Sequence, residues 1–447
     1  MSHAKVGYNA GFGVKSAPRP QGAVEIAQIK MTHDGQGSDT TPPFVPKESQ
    51  ILPQTPAPSV PWSGSQVQLE FEIPRHLGKM IDAQLNFQMT LLNSGGGQAT
   101  LMPTTFWCDA IETLYNGNVI ERVEREEIHQ ETAQFLTQQE FQIMARLMNI
   151  DAATGGLTAG ISVPAGSSVK ANFWLPLWAN VLNSAQPYIR GFDGTFKLRL
   201  WLTNKIWATS DGLPDSGTTY RLDQMYLYAT EAGLQPGVES ALMSAHNTGC
   251  VYRTVIRNKW VRTESSITAG QEYQQTLTSF NTDSAGLNLY VQPQDAQPRE
   301  RLQKLELAAQ KDSSSYVQIR DAANGELTIQ LQPDYVNTKG ALYVPIEPLF
   351  LVPFDSTATT TTDLVGLQKF YLFPFCSNLG KVLDEGKVGG GYLLTGQERI
   401  VINPATALTG AWNGSTFGTG GVRVVVVSYE YTKLSCQMRQ PSVRRTV

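Results

Sequence analysis

The side chains that most often bind metals or act as nucleophiles are few in this 447-residue sequence, and they lie far apart. The histidines and cysteines are His3, His33, His76, His129, His246, Cys108, Cys250, Cys376 and Cys436. No two histidines lie within four residues of each other, and the nearest two cysteines are 60 positions apart (436 − 376). The spacings of HExxH and CxxC motifs are therefore absent. The sequence predicts no metal ligand, and it predicts that the cysteines are buried free thiols.

Motifs for nucleophilic or phosphate chemistry are also missing. The chain has neither a GxSxG nucleophile elbow nor a GxxxxGK[ST] phosphate loop. Its adjacent acids, Glu126-Glu127 and Asp384-Glu385, are predicted to be solvated charges, because a glycosidase needs two carboxyls facing each other across a cleft. We therefore predict no catalytic residue, no cofactor-binding residue and no cofactor, and we expect that the protein is not an enzyme.

Composition narrows the possible functions further. The 35 basic and 39 acidic residues give a formal charge of −4, which argues against a protein that coats itself in nucleic acid. No stretch approaches the roughly 18 consecutive apolar residues that span a membrane, and the first residues lack the apolar segment of a secretory signal. Charged residues make up only 17% of the chain, against about 25% in an average globular domain. Low charge with many aromatic residues suits large, permanent protein–protein contacts.

The apolar pattern predicts an all-β chain. Apolar and polar residues alternate over 67–73 and 81–89, and Asn116-Gly117 is a strong hairpin signal, since both residues tolerate positive φ. From residue 161 to residue 434, short strand patterns are separated by Gly, Pro, Asn and Asp, which is typical of sandwiches and barrels. One interval, Glu121 to Ile150, lacks Gly and Pro and is predicted to be helical; it contains a capping box at 137–140.

Two apolar motifs recur at nearly the same spacing. Residues 171–178 (ANFWLPLW) resemble 368–375 (QKFYLFPF) at an offset of 197 between Phe173 and Phe370, and Tyr226-Leu227-Tyr228 resembles Tyr429-Glu430-Tyr431 at an offset of 203. These offsets predict two copies of one β domain of about 200 residues. We assign the copies to 66–234 and 250–434, with a linker at 235–249.

The two ends of the chain differ from the rest. Residues 1–65 are rich in Pro and Gly, and we predict an extended N-terminal arm that orders only against a partner. Residues 435–447 are predicted to form a basic tail with Arg439, Arg444 and Arg445. This tail could touch phosphate or lipid headgroups, and a plain solvated tail fits the sequence equally well.

These features resemble one family. Phe173-Trp174-Leu175-Pro176-Leu177-Trp178, the segment up to Lys197-Leu198-Arg199-Leu200, and the closing strand 425–431 (VVVSYEY) are similar to segments of the double jelly-roll major capsid proteins of the PRD1–adenovirus lineage. That family includes proteins of large DNA viruses, virophages and polinton-like viruses. The resemblance covers 66–434 in architecture and about 40 residues in motif, and it implies two consecutive jelly rolls with a helical insertion in the first.

The resemblance also implies a function. It implies a structural protein of the virion that forms homotrimers with a pseudo-hexameric outline and builds the icosahedral capsid of a tailless DNA virus, assembled inside the host cell. Its partners would be itself, neighbouring capsomers, penton and minor capsid proteins, and an internal membrane reached by the arm or by Arg444 and Arg445, with no sequence-specific nucleic acid. The alternatives are a virion spike or receptor-binding β protein, and a carbohydrate-active β-sandwich enzyme.

Overall fold

The computed structural model describes most of residues 67–293, the ends of the chain in part, and the region after 293 in separate segments. The described ranges are 24–25, 44–51, 67–95, 97–101, 104, 107–125, 127–128, 131, 147–149, 161–177, 188–202, 207–208, 218–234, 236–293, 316–320, 327–332, 335–337, 371–376, 379, 390–403, 407–409 and 421–445.

The described part of the chain is built almost entirely from strands. Strands in the first half are β1 Val24–Glu25, β2 Phe44–Ile51, β3 Val67–Glu72, β4 Lys79–Asn93, β5 Ala99–Leu101, β6 Cys108–Tyr115, β7 Asn118–Glu124, β8 Ser162–Val163, β9 Ser167–Pro176, β10 Phe196–Leu202, β11 Trp207–Ala208 and β12 Thr218–Leu234. One α-helix, α1 Pro236–Thr248, separates the halves. Strands in the second half are β13 Cys250–Glu264, β14 Ser266–Ile267, β15 Tyr273–Thr276, β16 Asp283–Pro293, β17 Tyr316–Arg320, β18 Leu327–Gln332, β19 Tyr335–Asn337, β20 Tyr371–Pro374, β21 Tyr392–Leu393, β22 Arg399–Asn403, β23 Leu408–Thr409, β24 Val422–Gln437 and β25 Gln440–Arg445.

The first half forms two four-stranded sheets with the orders β2-β12-β4-β9 and β3-β10-β6-β7. Their apolar residues form one buried cluster, to which β10 contributes every second side chain, from Phe196 to Leu202. The alternation predicted over 81–89 is confirmed in β4, where Leu85, Phe87 and Met89 are buried. Burial of this apolar cluster stabilises the first jelly roll by about 25 cal/mol per Å² of apolar area removed from water.

The second half repeats the arrangement. Its main sheet has the order β13-β24-β16-β20, extended by β1, β21 and β25, and a second sheet has the order β15-β22-β17-β18-β19. The antiparallel order β2-β12-β4-β9 thus has a counterpart in β13-β24-β16-β20. The recurring sequence motifs fall on corresponding strands, because Trp174 lies in β9 and Tyr371, its counterpart at the same offset, lies in β20, whereas Tyr226 lies in β12 and Tyr429 in β24. Phe370, the counterpart of Phe173, lies outside the described residues. The predicted internal duplication is confirmed at the level of strand order.

The interval predicted to be helical begins as a strand, which corrects its first four residues. Asn116 and Gly117 have φ values of 48° and 83°, and this turn returns the chain as β7, with Tyr115 opposite Asn118. The Asn-Gly hairpin is confirmed, and pairing with β6 outweighs the helix propensity of Glu121–Glu124. Residues 125, 127, 128 and 131 are helical, and the capping box at 137–140 lies outside the described residues.

The ends of the chain are more integrated than predicted. Within the interval assigned to the arm, β2 pairs with β12 over eight residues, so this part completes a sheet of its own chain. Within the interval assigned to the tail, β25 turns back and pairs with β24. The linker interval contains α1. Among the described residues, no helix has the length and apolar character needed to cross a membrane.

Candidate functional site at the junction of the two jelly rolls

Strand β24 is buried on both faces, and this explains its continuous apolar run. Val422, Val424 and Val426 belong to the core of the second jelly roll. Val425 and Val427 point the other way and belong to the cluster that fills the first jelly roll. The two halves therefore share buried surface through the β13–β24 sheet, and we call the region between this sheet and the first jelly roll the junction.

A buried ion cluster lies in the junction. Arg257 of β13 binds Glu131 through two nitrogens, with Nε 2.6 Å from Oε1, and it binds Glu121 of β7 with 2.6 Å between Nη1 and Oε1. Tyr429, directly opposite Arg257 in the β13–β24 ladder, donates its hydroxyl hydrogen to Glu131 at 3.3 Å. The side chain of Arg257 is 2% exposed, so these charges are removed from water. The acids belong to the first jelly roll and the cation to the second, so the cluster ties the two together.

A second cation extends the cluster toward the surface. Lys259, two residues along β13, has its ammonium 2.6 Å from Glu124 and also contacts Glu127. Glu127 accepts a hydrogen bond from the backbone N–H of Glu124, and Arg423 of β24 lies 3.9 Å from Glu124. The prediction of solvated charge is wrong for Glu127, whose side chain is almost fully buried. The cation that pairs with Glu127 is Lys259, on a strand more than 130 positions away, which the local sequence does not reveal.

Burial and the neighbouring charges together set the protonation of the cluster, and burial raises the pKa of Glu131 against the effect of Arg257. Burial acts to lower the pKa of Arg257, but Glu131 and Glu121 hold that pKa above its ordinary value. Burial acts on Lys259 in the same way, and Glu127 and Glu124 raise its pKa. The pKa of the Glu124 carboxyl is held below its usual value by Lys259 and Arg423, against the effect of burial. Both cations are therefore charged at neutral pH, where they can hold the buried acids.

Alkaline pH is expected to weaken the junction. Burial, and then Glu131, raise the pKa of Tyr429 well above 10, so the folded protein keeps a proton that the unfolded chain releases near pH 10. The stabilising contribution of protonated Tyr429 is complete below about pH 10. Above that pH it is lost, at about 1.4 kcal/mol per pH unit. We expect urea midpoints of the Tyr429→Phe variant to fall less steeply between about pH 10 and 11 than those of the wild type. Equal slopes for the two proteins would contradict the attribution of this alkaline loss of stability to Tyr429.

A cluster of sulfur and imidazole side chains lies at another corner of the junction. His246 in the last turn of α1, Cys250 at the start of β13 and Cys436 near the end of β24 each offer one atom that can bind a metal, and these atoms lie within 4.8 Å of one another. All three residues are buried. His246 Nδ1 lies 2.7 Å from the carbonyl oxygen of Leu242, and Nε2 lies 3.0 Å from the hydroxyl of Tyr252. This is the set of side chains, among the described residues, that could hold a metal ion.

The hairpin β24–β25 closes this corner over the first jelly roll. The backbone N–H of Arg439, at the turn, donates to the carbonyl of His246 at 3.1 Å. The Arg439 guanidinium pairs with Asp193 at 3.0 Å and donates to the carbonyl of Gly191 at 3.3 Å. Arg439 was predicted to lie in a basic tail, but its contacts are with its own chain. A segment far along the sequence thus fastens both halves together.

The other residues singled out from the sequence are dispersed or lie outside the description. Cys108 and Cys376 are buried and free, as predicted, and burial raises the pKa of the Cys108 thiol to about 12. His76 is exposed, and Arg444 and Arg445 are in β25. Outside the described residues lie His3, His33, His129, Glu126, Asp384 and Glu385. Sequence reasoning missed the His246–Cys250–Cys436 cluster, although the four-residue spacing of His246 and Cys250 is a local signal.

Comparison with known proteins places the fold. Neither a family profile nor a curated protein sequence matches the chain. VP54 of PBCV-1, a crystal structure fitted into a reconstruction of the virophage Sputnik, superposes with a TM-score of 0.58 at 11% identity, over 92% of this chain and 99% of that chain. A quasi-atomic structure of the PBCV-1 capsid gives 0.56 at 12% identity over 90% and 96%, and the Faustovirus major capsid protein gives 0.51 at 10% over 93% of each chain. The chain therefore has the double jelly-roll fold of viral major capsid proteins.

Proposed function

We propose that this protein is the major capsid protein of a tailless DNA virus, located in the virion shell and with a structural, non-catalytic role. The observation that carries the proposal is the repeated strand order β2-β12-β4-β9 and β13-β24-β16-β20, within a fold that covers 99% of a capsid protein chain. A protein that must fill a hexagonal lattice position needs six similar units around an axis. A chain with two such units meets this requirement as a homotrimer.

The junction supports this role physically. A trimer of double domains has a defined hexagonal outline only if the two domains keep a fixed relative orientation. The shared apolar cluster and the buried Arg257–Glu121–Glu131 contacts oppose hinge motion between the halves, because moving them apart would expose apolar surface and separate buried charges. These contacts favour a fixed orientation of the two halves, which supports the proposed role as a lattice building block.

The partners follow from the same proposal. Jelly rolls leave sheet edges, and contact between neighbouring copies covers more of them. We propose as partners the other chains of the trimer, neighbouring capsomers, and penton and minor capsid proteins. Residues of the arm outside the described range and the Arg444-Arg445 pair are candidate contacts to minor proteins or to an internal membrane.

Light scattering coupled to size exclusion, followed by negative-stain electron microscopy, tests the proposal. We expect a particle of about three times the 49.0 kDa chain mass, with a hexagonal outline, that persists on dilution. A compact monomer over the whole concentration range would contradict the proposal and would favour a receptor-binding β protein. Hydrolysis of a glycan panel, abolished by one Asp or Glu substitution, would contradict the non-catalytic role.

A further inference from the structure

We propose that His246, Cys250 and Cys436 form a structural zinc site that fastens the junction of the two jelly rolls. The inference goes beyond the proposed function and does not depend on it. It rests on the type of the three side chains, on how the fold brings them together, and on how the imidazole is held.

The fold brings two of the ligands together locally. Helix α1 ends at Thr248, and the backbone N–H of Gly249 donates to the carbonyl of Ala245 at 2.8 Å. Gly249 has a φ of 129°, a conformation that residues with side chains rarely adopt, and it turns the chain directly from the helix into β13. His246 and Cys250, four residues apart on a helix end and a strand start, are thereby directed at the same place.

The third ligand arrives through strand pairing. Cys436 lies directly opposite Cys250 in the antiparallel β13–β24 ladder, so the two side chains stand on the same face of the sheet. Directly opposed residues have Cβ atoms about 4.5–5.5 Å apart. Two thiolates bound to one tetrahedral zinc at about 2.3 Å lie roughly 3.8 Å apart. Because the ligand atoms already lie within 4.8 Å of one another, side-chain rotation closes the remaining gap without moving the strands.

The imidazole of His246 is oriented as a zinc ligand should be. Its Nδ1–H points at the carbonyl of Leu242, so the lone pair is on Nε2, where it accepts a hydrogen bond from the Tyr252 hydroxyl that a bound metal would displace. Metal-binding histidines regularly donate their other ring N–H to such a carbonyl, which fixes the tautomer and the ring orientation. The ring also packs on Gly191, where an added Cβ would overlap it.

The charge balance suits a buried site. Binding one Zn²⁺ displaces one proton from each thiol, and two thiolates with a neutral imidazole and Zn²⁺ carry no net charge. A neutral centre avoids the cost of placing uncompensated charge in an apolar region. Soft thiolates with one imidazole in tetrahedral geometry favour zinc over magnesium or calcium. The metal would join α1, β13 and the β24–β25 hairpin, three segments that already meet at this corner.

Metal titration of the full-length chain tests the proposal. In protein stripped of metal under reducing conditions, we expect one Co²⁺ per chain, with thiolate-to-cobalt charge-transfer absorption and tetrahedral d–d bands that Zn²⁺ abolishes. We also expect release of two protons per Zn²⁺ and a rise in the melting temperature of several degrees. All three measurements use the wild-type protein, so they do not depend on a variant that folds.

Variants locate the site. Cys250→Ser and Cys436→Ser should each lose the charge-transfer band or weaken Co²⁺ binding at least tenfold. Cys108→Ser, which removes a buried free thiol from the first jelly roll, should bind as the wild type does. Absence of the band in the wild type, or an unchanged band in Cys250→Ser, would overturn the proposal. A Cys250–Cys436 disulfide that forms quantitatively in air despite stoichiometric Zn²⁺ would also overturn it, because bound thiolates resist oxidation.

Discussion

Replacing Arg257 with methionine should lower the free energy of unfolding by about 3–5 kcal/mol. The change removes the cation but leaves Glu121 and Glu131 in the junction, where both carboxylates have side-chain exposures of 1% or less. An uncompensated buried charge has to take up a proton or draw water into the junction, and either change favours unfolding. Urea denaturation at neutral pH, followed by fluorescence and by circular dichroism, measures the loss.

Arg262→Met is the matched control for this prediction. Arg262 lies on the same strand and also pairs with an acid, Glu264 at 3.1 Å, but its side chain is 57% exposed. An exposed pair contributes about 1 kcal/mol or less, so this variant should unfold close to the wild type. Similar losses in the two variants would mean that the junction charges act as ordinary surface charges.

A second-site change separates lost charge from lost packing. In the Arg257→Met/Glu131→Gln double variant, one of the two carboxylates that lose Arg257 becomes a neutral amide. We expect part of the lost stability to return, since burying an amide costs less than burying a carboxylate. If the double variant is no more stable than Arg257→Met, the loss reflects packing around residue 257 and the electrostatic explanation fails.

If the protein forms the trimers proposed above, the junction matters for assembly as well as for stability. If the acids in β7 and after it no longer hold β13, the angle between the two jelly rolls becomes variable. A trimer of such chains would lose its regular outline before the individual jelly rolls unfold. Arg257→Met is therefore expected to blur the hexagonal outline in negative stain under conditions where circular dichroism still reports folded strands.

The regular parts of the fold follow from local sequence. Alternation in β4 and β10 predicts which residues are buried, because a strand with one face on a core must repeat every two residues. The Asn116-Gly117 turn predicts a hairpin through its backbone geometry alone. The duplication is visible because corresponding central strands, β12 and β24, carry similar aromatic residues, although β12 alternates between buried and partly exposed residues whereas β24 is buried on both faces.

The junction does not follow from local sequence, for a physical reason. Arg257 and Lys259 lie in a strand pattern where charged residues normally face water, and their acids are 126 to 136 positions away. The local pattern cannot reveal that another domain covers this face. In the same way Cys250 and Cys436 meet only because β13 and β24 pair in register. The apolar run 424–427 does not alternate, as is typical of a strand that is buried on both faces.

The largest effect expected within a single jelly roll is at Trp107. Its ring is buried just before β6 and meets two rings of the facing sheet edge-on, Phe87 of β4 at 5.4 Å and Phe173 of β9 at 4.9 Å between centroids. The side chain thus links the two sheets of the first jelly roll. Trp107→Ala removes this contact and leaves a cavity that the sheets cannot close, so we expect a loss of about 3–5 kcal/mol in the free energy of unfolding.

Trp174→Ala provides the comparison, because Trp174 follows Phe173 in β9 and points to the opposite face. Its ring lies against Tyr228 at 5.4 Å and is only partly buried, so its removal opens no closed cavity. We expect its loss to be less than half that of Trp107→Ala in the same urea titration. Equal losses would mean that β9 is held mainly by its outer face, and that the two sheets are not joined through the aromatic cluster. A larger loss in the free energy of unfolding for Trp107→Ala than for Trp174→Ala, with the junction ion pairs intact, would mean that Trp107→Ala is destabilised inside the first jelly roll.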